Sequence, residues 1–274
     1  MNMQNLNGKR VVITGGSQGL GLAMVEALAA CGANVVAISR DRANLAAAEH
    51  AGAAVITGDA SDITFMNKVV REEAPDVLIL NAGARPPIKP IDQQNWDEFS
   101  TVWNTDVKAG LAGIQAALHT PMKRGSRVLI MSSGAAMVLA VPFIAPENLS
   151  LSGGYIGAKR MLWFMAHSAN AVSRERDLGI HFQALVPMQL IPGTALGHHV
   201  AAACAAVEGI SVDEHVMQRY GSVLRPEQVG EQVAELLFDP RYMGGVAYGF
   251  RNESDIVPLD VTYDPKSAAA PGTQ

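Results

Sequence analysis

Arg10-Val11-Val12-Ile13-Thr14-Gly15-Gly16-Ser17-Gln18-Gly19-Leu20-Gly21 is a short β-branched run that passes directly into a glycine-rich turn. Helical spacing of apolar residues follows over 19–31, so the stretch reads strand, turn, helix. Gly15, Gly19 and Gly21 permit a tight turn and a close approach of backbone to a pyrophosphate. The helix start adds unpaired N–H groups and a positive dipole. Ser17 and Gln18 supply further donors to phosphate. A merely tight strand-to-helix turn is the plainer alternative.

The same rhythm continues along the chain. β-branched runs at 10–14, 34–39, 54–57, 77–81, 127–132, 180–186 and 245–249 alternate with helical patterns at 19–31, 42–51, 63–73, 96–119, 154–177 and 226–238. Continuous rather than alternating apolar runs indicate strands covered on both faces. The expected fold is α/β: a Rossmann-type doubly wound, mostly parallel seven-stranded sheet with helices on both faces. No repeat or linker divides the chain, so one domain is expected over 1–263, with a disordered tail at 264–274. The segment 191–222 adds Ala-rich helical sequence and is expected to shape the ligand crevice.

Composition excludes several classes of partner. The 274 residues are 49% apolar with a formal net charge of −5, which argues against nucleic acid or an anionic membrane surface. No run of 18 uncharged apolar residues occurs, and residues 1–7 lack the blocks of a signal peptide. Cys31 and Cys204 read as buried thiols in a reducing compartment, so a cytoplasmic protein is expected. His198 and His199 have no carboxylate or cysteine at ligand spacing, and no metal is expected.

Tyr155-Ile156-Gly157-Ala158-Lys159 carries the second motif. Four residues on a helix put Tyr155 and Lys159 on one face, one turn apart. An ammonium beside a phenol favours the phenolate, and such a phenol can exchange the proton that hydride transfer to a carbonyl requires. At the end of the second strand, Ser39 stands where an NAD-binding crevice normally has a carboxylate, and Arg40 follows. A 2′-phosphate would be attracted there, which favours NADP(H). Asp41 reverses that reading if the strand ends one or two residues later.

Together with Gly58-Asp59-Ala60, Asn81-Ala82-Gly83 and Ser132-Ser133, these motifs resemble the short-chain dehydrogenase/reductase family over residues 8–260. The resemblance implies that Asp59 and Ala60 contact the adenine and that Asn81, Ala82 and Gly83 pass beside its ribose. Lys159 would bind the nicotinamide ribose as well as tune Tyr155. Ser133, with Ser132 as the alternative, would hydrogen-bond the substrate oxygen. Pro187 would open the segment against the nicotinamide, continued by Leu190 and Thr194. Thr14, Leu20 and the other residues of the glycine turn would complete the cofactor site. The helices at 96–119 and 154–177 would form a subunit contact in a homodimer or homotetramer.

Three departures qualify the resemblance. The family's catalytic asparagine aligns with Asp106 in Asn104-Thr105-Asp106-Val107-Lys108, which places a charge near Lys159. The nearly uncharged connection between Ser133 and Tyr155, apolar over 137–145, suggests a substrate with an apolar part, with packing of these side chains onto the protein or a neighbouring subunit as the alternative. Met188 replaces the glycine that usually follows Pro187. The expected activity is an NADP(H)-dependent interconversion of a ketone or aldehyde with an alcohol. A cofactor-binding sensor or scaffold with little turnover is the alternative. A halohydrin dehalogenase-like lyase is opposed by Lys159 and the intact glycine turn, although Arg160 adjoins Lys159.

Overall fold

The computed structural model describes residues 6–137, 153–252 and 256–259. The tail at 264–274, and nearly all of the uncharged stretch 137–145, lie outside the described residues.

Strand β1 (Arg10–Thr14) lies inside the sheet because Val11, Val12 and Ile13 are buried on both of its faces. β2 (Asn34–Ser39) and β3 (Ala54–Thr57) extend the sheet on one side of it. β4 (Val77–Leu80), β5 (Arg127–Met131), β6 (His181–Pro187) and β7 (Ala247–Phe250) extend it on the other. These seven pair in parallel, as the continuous apolar runs imply. An eighth strand, β8 (Ile256–Pro258), pairs antiparallel with β7; three residues are too few to show a period in the sequence. The order is β3-β2-β1-β4-β5-β6-β7-β8. The order reverses between β1 and β4, which opens a crevice at their carboxyl ends.

Helix α1 (Gly19–Ala30), the short α2 (Ala46–His50) and a C-terminal helix, Pro226–Phe238, cover one face. Met24, Val25, Leu28, Val229 and Val233 pack there with Val11, Ile13 and Leu129. The other face is covered by α3 (Ile63–Glu73), α5 (Lys108–His119) and α6 (Gly153–Glu175), through Met66, Val69, Ile114 and Leu162. Asp62 starts α3 by accepting from Thr64 N and Phe65 N, and Ala74 ends it in the left-handed region.

The expected helix at 96–119 is not uniform. It opens as α4 (Trp96–Val102) with a capping box of Asn95 and Glu98, then passes through a π-helical turn, Trp103–Val107, into α5. In that turn the Lys108 N–H reaches Trp103 O, five residues back. The segment 191–222 folds as α7 (Ala195–Glu208) and α8 (Val212–Tyr220), bent by 92°. Thr194 caps α7 and Ser211 caps α8, so the chain sets both starting points locally. The C-terminal helix is α9. No single helix among the described residues is long and apolar enough to cross a bilayer; the α7–α8 pair reaches that length only across its bend.

Candidate active site

The glycine turn is held by contacts between β1 and β4. Thr14 Oγ1 accepts from Asn81 N (3.0 Å) and Ala82 N (3.1 Å), while Asn81 Nδ2 donates to the carbonyls of Thr14 and Gly15, each at 3.2 Å. Gly15 adopts φ +68°, a conformation that favours glycine. A Cβ at Gly21 would stand 1.9 Å from Gly15 O, so helix α1 begins hard against the turn. Thr14 is buried and does not line the cleft; its work is to tie the two strand ends together.

From this turn a cavity of about 650 Å³ runs across the carboxyl end of the sheet. Ser17, Gln18, Gly19 and Leu20 line it beside Gly15 and Gly21, with Ala60, Asn81, Ala82 and Gly83 opposite. Asp59 is not part of the lining. Its carboxylate accepts from Ser61 N at 2.9 Å, and that bond, with Arg40 and Lys108 nearby, holds it below the usual carboxylate range against the opposing effect of burial.

Strand β2 ends at Ser39, so Arg40 is the first residue beyond it, and both line the cavity. Asp41 lines the same rim, but its carboxylate is engaged in the next turn. Oδ1 accepts from Ala43 N at 2.9 Å and Oδ2 from Asn44 Nδ2 at 3.3 Å. The turn at Arg42–Leu45 thereby takes up the negative group, and Arg40 remains exposed at the cavity edge.

At the other end, α6 presents Tyr155 and Lys159, with Lys159 Nζ 5.7 Å from the centre of the Tyr155 ring. The Lys159 ammonium is buried and lies 2.9 Å from Asp106 Oδ2, itself almost fully buried. Asp106 Oδ1 accepts from Ala84 N at 2.8 Å, and Thr105 Oγ1 is 2.9 Å from the same oxygen. Gly83 makes room for this carboxylate, since a Cβ there would stand 2.7 Å from Oδ2. The Asn81–Gly83 turn, the π-helical turn and α6 therefore converge on Asp106. Oδ2 and the Lys159 ammonium form a buried ion pair. Burial alone would push the Lys159 ammonium pKa down; Asp106 and then Tyr155 outweigh it, and the net shift is up.

The two serines separate clearly. Ser132 Oγ donates to Lys159 O at 2.7 Å and is buried, which fixes the backbone of α6 behind the lysine. Ser133 Oγ accepts from Ala135 N at 3.2 Å, leaving its proton for another partner, and it lines the cavity with Tyr155. Asn104 Nδ2 donates to Ser100 Oγ and has no place in the cavity. Arg160 Nη1 donates to Ala136 O, also outside it.

Pro187 closes β6, and Met188, Leu190 and Thr194 continue the lining. The Met188 sulfur packs against Gly249 on β7, so part of that side chain is turned into the sheet. Cys204 is buried as expected and lines the cavity, whereas Cys31 is only half-buried; both thiols are free, and burial pushes both up. His198 and His199 are exposed on α7. His215, Arg219 and Tyr220 on α8 also line the cavity, and the sequence reading did not include them. The four-residue spacing of His215 and Arg219 places them on one helical face, but nothing in the sequence says that this face turns inward.

The chain is similar to known proteins in sequence and in fold. The model of the family described as short chain dehydrogenase matches residues 9–145, half of the chain. Gluconate 5-dehydrogenase of Gluconobacter oxydans is 31% identical over 155 residues, covering 52% of this chain and 59% of that protein. L-fucose dehydrogenase of Rattus norvegicus is 24% identical over 255 residues, covering 88% and 87%. A short chain dehydrogenase from Burkholderia cenocepacia, solved in complex with NADP, superposes with a TM-score of 0.68 at 22% identity, over 90% of this chain and 96% of that one.

Proposed function

Because the chain belongs to the short-chain dehydrogenase/reductase family of oxidoreductases, we propose that it uses NADP(H) to interconvert a ketone or aldehyde with an alcohol. The observation that carries this reading is one continuous cavity. It begins at the Gly15–Gly21 turn and reaches Ser133, Tyr155 and Lys159.

The residues present fit a nicotinamide dinucleotide. The start of α1 and Ser17 and Gln18 would receive the pyrophosphate. Arg40 beside Ser39 would pair with a 2′-phosphate, and the engagement of Asp41 in the adjoining turn removes the strongest objection. The NADP bound to the Burkholderia cenocepacia relative supports the same choice. Ala60, Asn81 and Ala82 would flank the adenosine, and Pro187, Leu190 and Thr194 the nicotinamide. Such a cofactor supplies or accepts a hydride at the substrate carbon.

The protein's share of the reaction is proton management. In reduction the Ser133 hydroxyl donates a hydrogen bond to the substrate oxygen, and Tyr155 delivers the proton to it. In oxidation Tyr155 takes that proton. Lys159 steadies the phenolate, and its Asp106 partner holds the lysine charged despite its burial. The same carboxylate offsets part of the lysine's field at Tyr155. That offset favours the second reading, a cofactor-binding sensor with slow turnover.

Titration of nicotinamide fluorescence with NADPH and NADH, followed by a carbonyl panel read as loss of reduced-cofactor absorbance, distinguishes the two. NADPH binding with turnover of at least one carbonyl supports the oxidoreductase. NADPH binding with no turnover supports the sensor, and preference for NADH contradicts the role given to Arg40.

A further inference from the structure

Helices α7 and α8 form one side of the cavity, and their polar side chains have no part in the reaction above. His215 and Arg219 lie one turn apart on α8 and both line the cavity, with Tyr220 beside them and Cys204 on α7. The His215 side chain is 2% exposed, and its Nδ1 stands 2.6 Å from Glu208 Oε2. A carboxylate accepts only, so Nδ1 carries a proton and donates. The other ring nitrogen, Nε2, is buried with no partner among the described residues, and so is Arg219 Nη2. None of the ion pairs among the described residues uses Arg219. Tyr220 is not a counter-charge: burial pushes its phenol up, and the charge and hydrogen bond of the neighbouring Arg219 do not overcome that, so a bond to a neutral phenol leaves the guanidinium charge unbalanced.

Two unpartnered buried nitrogens on one wall of one cavity need an explanation, because such groups ordinarily find partners. A guanidinium offers donors only. With Nδ1 committed to Glu208, Nε2 is the ring nitrogen left to meet a ligand. A ligand group that accepts from the guanidinium and balances its charge, with His215 beside it, is an oxyanion.

We propose that the α7–α8 wall is an oxyanion subsite, and that the substrate carries a carboxylate or phosphate group bound by Arg219 and His215. This rests on the reading of the cavity as the site of a carbonyl-reducing enzyme. Met188, Leu190 and Leu196 line the same cavity, so an acid with an apolar stem fits. The sequence alone indicated only the apolar part.

The test uses the full chain saturated with NADP, so that the Arg40 end is occupied. Straight-chain alkanoic acids and alkyl phosphates of increasing length, and the methyl esters of the acids and the corresponding alcohols, are titrated by calorimetry. At least one acid or phosphate should bind about tenfold or more tighter than its neutral counterpart, the range expected of a charge-assisted hydrogen bond. The better of the two anions identifies the group. Arg219→Met should abolish that preference, Arg219→Lys should keep part of it, and His215→Gln should reduce it. If Arg219→Met does not fold, Arg219→Gln serves in its place. The proposal is overturned if no anion is preferred over its neutral counterpart, or if the preference survives loss of the Arg219 charge.

Turnover of matched keto acids and keto esters separates this proposal from the one beneath it. Anion binding through Arg219 with no turnover of any keto compound leaves the subsite standing and removes the oxidoreductase reading. Equal turnover of acids and esters does the reverse.

Discussion

Asp106 is the buried carboxylate on which the charge balance of the site turns. The sequence suggests a charge near Lys159 but not the bond: the 2.9 Å contact depends on a π-helical turn and on Gly83 leaving space. Asp106→Asn removes the partner of a buried cation, and should cost about 3 kcal/mol of stability in denaturant titration at neutral pH. In the same variant burial of Lys159 is no longer opposed by the carboxylate, so the lysine holds its proton less firmly and supports the phenolate less. The pH–rate profile for alcohol oxidation should therefore move toward base. An unmoved profile would show that the carboxylate has no electrostatic hold on the reaction. The serines give a second contrast. Ser133→Ala should lower kcat by about a hundredfold, whereas Ser132→Ala, whose bond is to the Lys159 carbonyl, should cost about 1 kcal/mol of stability. Equal kinetic losses in both would contradict their assignment.

Among the elements, the buried strands were the most legible. Val11, Val12, Ile13, Leu78, Ile79, Leu129 and Ile130 form continuous apolar runs because both sheet faces are covered. The π-helical turn was not legible, since Trp103–Val107 contains no glycine or proline and keeps helical spacing. The inward face of α8 was not legible either, because His215 and Arg219 in a polar helix resemble an ordinary solvated face. The end of β2 was legible to the residue, yet the direction of Asp41 was not. Arg40→Ala should weaken NADPH binding about tenfold or more while leaving NADH binding unchanged; equal loss for both cofactors would contradict the phosphate contact. At the opposite end of the sheet, Asp76 joins β1, β4 and β5. Its Oδ2 accepts from Arg10 N at 2.8 Å, and Lys123 Nζ is 2.7 Å from Oδ1. Burial would raise this carboxyl, but Lys123 and the Arg10 N–H outweigh it and hold it below its ordinary 3.8. The stability it contributes is therefore present above pH 3.8 and lost as pH falls through its lower folded value. Asp76→Asn should cost about 1 kcal/mol at neutral pH, and its unfolding curve should converge with that of the unaltered protein in acid.

The whole molecule brings distant sequence into one cavity by reversing strand order between β1 and β4. Motifs separated by more than a hundred residues, Gly15–Gly21 and Tyr155–Lys159, become its two ends, and the α7–α8 pair becomes its side. On the outer surface Leu111 of α5 and Phe164 of α6 are exposed, which fits a contact between copies of the chain through these helices. Light scattering should give a dimer or tetramer, and Phe164→Glu should shift it toward monomer; an unaltered assembly would place the contact elsewhere. The chemistry itself is tested most directly by the single-turnover rate of NADPH oxidation by a reactive aldehyde, measured for Tyr155→Phe beside the unaltered protein. The rate should fall by about a hundredfold or more while NADPH binds with unchanged affinity. A rate that survives the loss of this one hydroxyl would contradict Tyr155 as the proton donor.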